Sequence, residues 1–191
     1  TCYPRPGREH PRLDSAAYDC QPAVILGDQD SIAGLDRSKL CEQAASIKHI
    51  STAQTTVTDS SFIDPKTLKI EPESLAFLQY TSGSTSEPKG VMVRHCNLMA
   101  NLESIRRGFQ IAWHDDDATE VDCAVFWLPF FHDMGLIGGI LAPLYVGIHT
   151  VLISPRAFLR RPLTWLQTIS DKRAVISGAP NFAYQLCVDR I

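Results

Sequence analysis

The chain has 191 residues, with 18 Lys and Arg against 21 Asp and Glu and a formal net charge of −3. That balance excludes a nucleic-acid or anionic-membrane partner recognised by bulk charge. Hydrophobic residues make up 45% and charged residues 20%, enough apolar surface to offset chain entropy, so disorder throughout is excluded as well.

Taken in order, the first 22 residues hold four prolines (Pro4, Pro6, Pro11, Pro22) and predict an extended, irregular start. No basic stretch followed by an apolar run opens the sequence, so no signal peptide is read there. Residues 23–26 form a short apolar run closed by Gly27 and Asp28, a predicted strand. Residues 31–47 place Ile32, Leu35, Leu40, Ala44 and Ile47 at helical spacing, with Ser31 as N-cap. Residues 51–61 are rich in Ser and Thr and read as a linker or an ordered loop.

The second half is sharper. Residues 75–80 (L-A-F-L-Q-Y) predict a strand, 81–90 a polar loop, and 91–93 a return to apolar character. Asn97 caps a predicted helix with the stripe Leu98, Leu102 and Ile105, and Gly108 stands as its C′ residue. Residues 121–128 read as a buried strand stopped by Pro129, and 135–146 as a wholly apolar buried helix. Residues 148–153 predict a strand, 162–169 an amphipathic helix and 174–177 a last strand. A helix with the stripe Phe182, Ala183, Leu186 and Cys187 then runs uncapped to Ile191, which is read as a fragment's end. Pro129, Asp133 and Pro143 interrupt the longest apolar stretches, so no membrane span is predicted.

Strands alternating with helices, in continuous apolar runs, predict an α/β fold with mostly parallel strands and flanking helices. Ligands collect at the carboxyl ends of strands in such sheets, which singles out the loops after Tyr80 and Leu128. The six cysteines (2, 20, 41, 96, 123, 187) show no C-x-x-C pair and read as free, mostly buried thiols of a reduced cytoplasmic protein. The six histidines lie apart, and no metal-ligand spacing appears.

Residues 80–90 read Y-T-S-G-S-T-S-E-P-K-G. Gly83 permits a tight turn in which successive N–H groups converge on an anion. Thr81, Ser82, Ser84 and Thr85 add hydroxyl donors, and Lys89 brings a positive charge for phosphate oxygens. A solvated Ser/Thr linker is the plain alternative. The loop is not a Walker A sequence, because Lys89 precedes Gly90 and a strand-like run follows.

The stretch F-L-Q-Y-T-S-G-S-T-S-E-P-K-G-V-M-V-R-H (77–95) resembles the signature loop of the adenylate-forming superfamily of acyl-CoA synthetases, peptide-synthetase adenylation domains and luciferases. Ser86 departs from the glycine common there. Residues 127–145 (W-L-P-F-F-H-D-M-G-L-I-G-G-I-L-A-P-L-Y), 154–166, 177–187 and the opening P-R-P-G-R are similar to the fatty acyl-AMP ligase branch. The resemblance implies that residues 1–191 are part of a large N-terminal AMP-binding domain, with the later adenine motif and the small C-terminal domain lying outside them. It implies activation of a fatty acid with ATP and Mg²⁺ to an acyl-adenylate and pyrophosphate, for transfer to an acyl carrier protein of a polyketide or peptide synthase.

By the same resemblance, Thr81, Ser82, Gly83, Ser84, Thr85, Lys89 and Gly90 hold the nucleotide phosphates. Lys89 and His132 take catalytic roles, and His132, Gly135, Gly178 and Pro180 face the acid. The rival for His132 is a surface-loop histidine bonded to Asp133, which itself caps the following helix. Leu136, Ile137, Ile140 and Leu141 line an acyl tunnel or simply pack the core, and Trp127 and Trp165 belong to the core. This stretch alone is not expected to complete turnover. Two alternatives stand beside this reading, an acyl-CoA synthetase and a non-catalytic module that binds nucleotide or a partner protein.

Overall fold

Short apolar runs separated by turn residues fold into small elements, which the computed structural model describes for residues 9–54, 64–81, 89–112 and 122–191. They gather into two compact units, Thr1–Cys96 and Asn97–Ile191.

In the first unit, α1 (Pro11–Cys20) replaces the extended, irregular chain predicted over those residues, while residues 1–8 of that prediction lie outside the described ones. Pro11 sits in the first turn, where its missing N–H costs nothing and its fixed φ suits the helix. Strand β1 (Val24–Gly27) pairs in parallel with β2 (Lys48–Ser51), in register from Val24 with Lys48 to Gly27 with Ser51. The helix predicted over 31–47 is three pieces: α2 (Gln29–Ala33), a 3₁₀ turn (Arg37–Lys39) and α3 (Glu42–Ser46). Each begins at its own local cap. Asp28, not Ser31, caps α2 and accepts the Ser31 N–H at 2.7 Å. Asp36 accepts the Ser38 N–H at 3.1 Å, and Cys41 Sγ accepts the Ala44 N–H at 3.4 Å. Such side-chain bonds to nearby backbone compete with a continuous helix, and here they prevail. The apolar stripe still packs inward, since Ala17 of α1 meets Leu40 and Ala44.

The rest of this unit is an antiparallel hairpin of β3 (Leu75–Thr81) and β4 (Lys89–Arg94). Its last pairs are Tyr80 with Gly90 and Thr81 with Lys89. Thr81, Lys89 and Gly90, read above as loop residues, are therefore ladder residues of the two stems.

Helix α4 (His95–Gly108) starts two residues before the predicted Asn97 cap. No side-chain cap is needed there, because the His95 and Cys96 N–H groups donate to the carbonyls of Ser74 and Pro72, at 3.1 and 2.8 Å. Gly108 is the last helical residue rather than the left-handed one. That place falls to Gln110 (φ 56°), closed by Ile111 N–H to Arg106 C=O at 2.9 Å and Gln110 N–H to Arg107 C=O at 3.1 Å.

In the second unit, β5 (Cys123–Phe126) lies between β6 (His149–Leu152) and β7 (Ile176–Ser177), all parallel. Every residue of β5 is buried. Alternation sends Cys123, Val125 and Trp127 to one face, against Phe158, Trp165, Ala183 and Cys187. Ala124 and Phe126 go to the other face, against Ile111, Val146 and Ile148. A central strand apolar on both faces explains the continuous apolar run in the sequence. Trp127 stacks on Phe158 with ring centroids 3.8 Å apart, and Trp165 meets Phe158 edge-on, which confirms both tryptophans as core.

The helices after β5 depart from expectation. The apolar helix predicted over 135–146 divides into a π-type helix (Met134–Leu141) and α5 (Ala142–Val146). The Ala142 N–H reaches back five residues to the Ile137 carbonyl. Pro143 has no N–H to offer and its ring crowds the carbonyl four residues earlier, which accounts for the wider turn just before it. Helix α6 (Pro155–Arg160), capped by Ser154 through Ala157 N–H at 3.1 Å, was not foreseen. Helices α7 (Leu163–Asp171) and α8 (Asn181–Val188) follow, on either side of β7 in the sequence.

Among the described residues, Cys123 and Cys187 are buried thiols, while Cys20, Cys41 and Cys96 are free and partly exposed. The expectation of mostly buried thiols thus holds for only two of these five. No described helix is long and apolar enough to cross a membrane.

Candidate functional site

Two features draw together the residues singled out from sequence, one in each unit. In the first, Thr81 and Lys89 face each other as the final pair of the β3–β4 hairpin, both exposed. Ser82, Gly83, Ser84 and Thr85 lie outside the described residues. Gly90 sits beneath Tyr80. A Cβ at Gly90 would come 3.0 Å from Tyr80 Cζ, a tight spacing that would press on the ring.

In the second unit a cavity of 530 Å³ opens among α4, the π-type helix and the ends of β5 and β7. Its wall is mainly apolar, with Ile105, Phe126, Met134, Ile137, Ala142 and Tyr184 as major contributors. The volume falls within the range of small-molecule sites. Gly178 and Ala179 belong to the wall, and Asp133 stands on it as a polar group. Pro180 does not line the cavity and instead precedes α8 as its N-cap. Of the four aliphatics predicted to line a tunnel or pack the core, Ile137 is in the wall, and Leu136, Ile140 and Leu141 are not.

Gly135 is likewise absent from the wall. A Cβ there would fall onto the Pro129 carbonyl, within 2.7 Å of its carbon, so packing alone demands a glycine. Gly138, by contrast, lines the cavity and has open space where a Cβ would go.

His132 lies in the turn after β5 with 64% of its side chain exposed, its Nδ1 2.6 Å from Asp133 Oδ1. Asp133 also accepts the Met134 N–H at 2.7 Å and so caps the π-type helix. These contacts have the form of the surface-loop alternative raised for His132, which stands outside the cavity wall.

Sequence reading missed an electrostatic brace between α4 and α5. Arg106 grips Glu103 with two bonds, Nε to Oε2 at 2.8 Å and an Nη to Oε1 at 2.9 Å. Arg107 Nε adds a third at 2.6 Å. Tyr145 of α5 donates its hydroxyl to the same carboxylate at 3.3 Å. The bonds from Arg106 and then Arg107 hold the Glu103 carboxyl down to about 2, from an ordinary 4.5. The Glu103–Arg107 spacing of four was visible in the sequence, but Tyr145 was not. Trp165 and Ser177 form a second unforeseen link. The indole N–H donates to Ser177 Oγ at 2.9 Å, and that hydroxyl donates to the Val125 carbonyl. Among the described residues, no three His, Cys, Asp or Glu side chains gather as a metal site.

A family model described as AMP-binding enzyme matches residues 4–190. A medium-chain-fatty-acid–[acyl-carrier-protein] ligase of Moorena producens is 42% identical over 96% of this chain and 30% of its own length. A second ligase of that description, from Teredinibacter turnerae, is 47% identical over 69% of this chain and 19% of its own length. A long-chain-fatty-acid–AMP ligase of Mycobacterium marinum is 39% identical over 98% of this chain and 32% of its own length. The chain thus spans less than a third of the length of each of these relatives. Among solved structures, a fatty acyl-adenylate ligase from L. pneumophila, in complex with acyl adenylate and pyrophosphate, superposes with a TM-score of 0.78 at 40% identity, over 94% of this chain and 29% of its own. An adenylation domain of a keto acid-selecting module shares the fold at a TM-score of 0.76 and 22% identity. The chain belongs to the AMP-binding enzyme family, and the relatives it resembles within that family are fatty acyl-AMP ligases.

Proposed function

We propose that this chain is part of the AMP-binding domain of a fatty acyl-AMP ligase, which joins a fatty acid to AMP and passes the acyl group to an acyl carrier protein. The observation that carries the reading is the 530 Å³ apolar cavity in a chain that also bears a Ser/Thr/Gly/Lys loop suited to phosphate. A fatty acyl chain gains from leaving water for such walls. In the reaction, a carboxylate oxygen attacks the α-phosphorus of ATP, the acyl–phosphate bond forms, and pyrophosphate leaves with the electron pair of the broken P–O bond. Two anions must meet, so the main demand on the protein is charge stabilisation.

In this reading Lys89, at the loop's exit stem, offsets charge on the β- and γ-phosphates, while Thr81 with Ser82, Gly83, Ser84 and Thr85 supplies N–H and hydroxyl donors. Gly90 lets the exit stem pass under Tyr80. His132 is assigned to meet the incoming acid from outside the cavity wall, its Nδ1 2.6 Å from Asp133 Oδ1, and Gly178 gives the acyl chain a wall without side-chain bulk. Gly135 and Pro180 lie off the cavity wall, and in this reading they support its neighbouring helices rather than meet the acid. A magnesium ion, when bound, would supply further charge compensation at the phosphates. The free thiols of Cys123 and Cys187 suit a reduced cytoplasmic setting.

Acid-dependent exchange of labelled pyrophosphate into ATP by the full-length protein tests the chemistry. Comparison of a carrier-protein phosphopantetheine with free coenzyme A tests the acceptor. Exchange with carrier loading is the expected result. Exchange with transfer to coenzyme A would make it an acyl-CoA synthetase, and no exchange with any fatty acid would leave a binding module.

A further inference from the structure

Tyr80 is the last residue of β3 before the pair that opens the phosphate loop, and its partner across the ladder is Gly90. Residues directly opposite in an antiparallel pair share a face, and their neighbours share the other. The Tyr80 ring therefore lies over Gly90, with Cε1 and Oη both 3.2 Å from where a Cβ would stand. Thr81 and Lys89 lie on the opposite face. The ring's hydroxyl donates to the exposed carboxylate of Asp19, Oδ2, at 2.6 Å. Asp19 is the penultimate residue of α1, whose Ala17 is seated against Leu40 and Ala44. Burial first, and the Asp19 carboxylate second, push the phenol's pKa upward, so it remains a donor throughout the neutral range.

We infer that Tyr80 and Asp19 are positioning residues that tie α1 to the back of the hairpin and so hold Thr81 and Lys89 in the orientation that receives the nucleotide phosphates. Gly90 is the third part of this anchor, because a Cβ there would crowd the ring at 3.0 Å from Cζ. The inference rests on the proposed nucleotide-binding role of the loop and assigns work to two side chains that do not themselves touch phosphate.

The test uses the full-length protein with Tyr80→Phe, Asp19→Ala and Asp19→Asn, read by exchange kinetics, calorimetric ATP binding and thermal unfolding. Tyr80→Phe keeps the ring over Gly90 and removes one hydrogen bond. It should raise the KM and Kd for ATP roughly three- to tenfold, leaving the KM for the fatty acid and the unfolding temperature nearly unchanged. Asp19→Ala should match it, and Asp19→Asn, which retains an acceptor oxygen, should restore most of the ATP affinity. The double variant Tyr80→Phe/Asp19→Ala should be no worse than either single one. Unchanged ATP binding in Tyr80→Phe, or additive losses in the double variant, would overturn the anchor while leaving the ligase reading intact. Absent exchange with ATP binding that still follows this pattern would overturn the ligase reading alone. A wild-type protein that binds no ATP would overturn both.

Discussion

Gly135 offers a direct test of packing against function. It lies in the first turn of the π-type helix, and a methyl group there would meet the Pro129 carbonyl, with the carbonyl carbon at 2.7 Å. Backbone cannot step aside as a flexible side-chain end can, so Gly135→Ala forces the helix away from the turn after β5. Overpacking of this kind costs up to about 3 kcal/mol, and the better helix propensity of alanine returns about 1 kcal/mol. The net loss of about 2 kcal/mol corresponds to roughly 4–8 °C in unfolding temperature for a domain of this size. Two neighbouring glycines serve as controls. At Gly139 a methyl would stand 3.3 Å from Phe126 Cγ, so gain and crowding nearly cancel there, and at Gly138 it would meet nothing within 4 Å. Gly138→Ala should therefore raise the unfolding temperature by roughly 2–4 °C. Thermal unfolding of the three full-length variants, with the KM for fatty acid measured alongside, is the assay. Equal stability of Gly135→Ala and wild type, or a Gly138→Ala loss as large as that of Gly135→Ala, would refute the packing account. A raised acid KM at unchanged stability would return Gly135 to the substrate site.

Two further outcomes follow from the second unit. The Glu103 carboxyl is held at about 2 against an ordinary 4.5, so its stabilisation is fully present above 4.5 and is lost as pH falls through about 2. Glu103→Gln should lower the urea midpoint most at pH 7, with the deficit shrinking below pH 4.5; a pH-independent deficit would show that the charge is not responsible. Ile137 lines the cavity, and Ile137→Trp should cut kcat/KM for the longest accepted fatty acid about tenfold or more relative to the shortest. Equal loss across chain lengths, measured by acyl-adenylate formation, would mean that the acid does not occupy this cavity.

The loop proposed to hold phosphate is read from contiguous residues. Gly83, five hydroxyl side chains and Lys89 stand within nine residues, and tight turning, donation and charge are local properties. The parallel sheet was legible for a similar reason, since β5 buries apolar side chains on both faces and so leaves an unbroken run in the sequence. Where local chemistry competes with periodicity, pattern misleads. Asp28, Asp36 and Cys41 divided an expected helix into pieces by bonding nearby N–H groups, and Pro143 widened another. The cavity was not legible at all. Its wall joins Ile105, Phe126, Ile137 and Tyr184 from separate elements, and only their packing leaves space between them. The same holds for Tyr80 and Asp19, 61 residues apart in sequence and 2.6 Å apart in space. By itself the sequence determined the α/β alternation and the buried run that became β5, because both depend on neighbours along the chain. Tertiary structure alone decided which glycine is demanded by packing, which aliphatic faces the cavity and what steadies the loop's stems, because each depends on atoms brought together from distant positions.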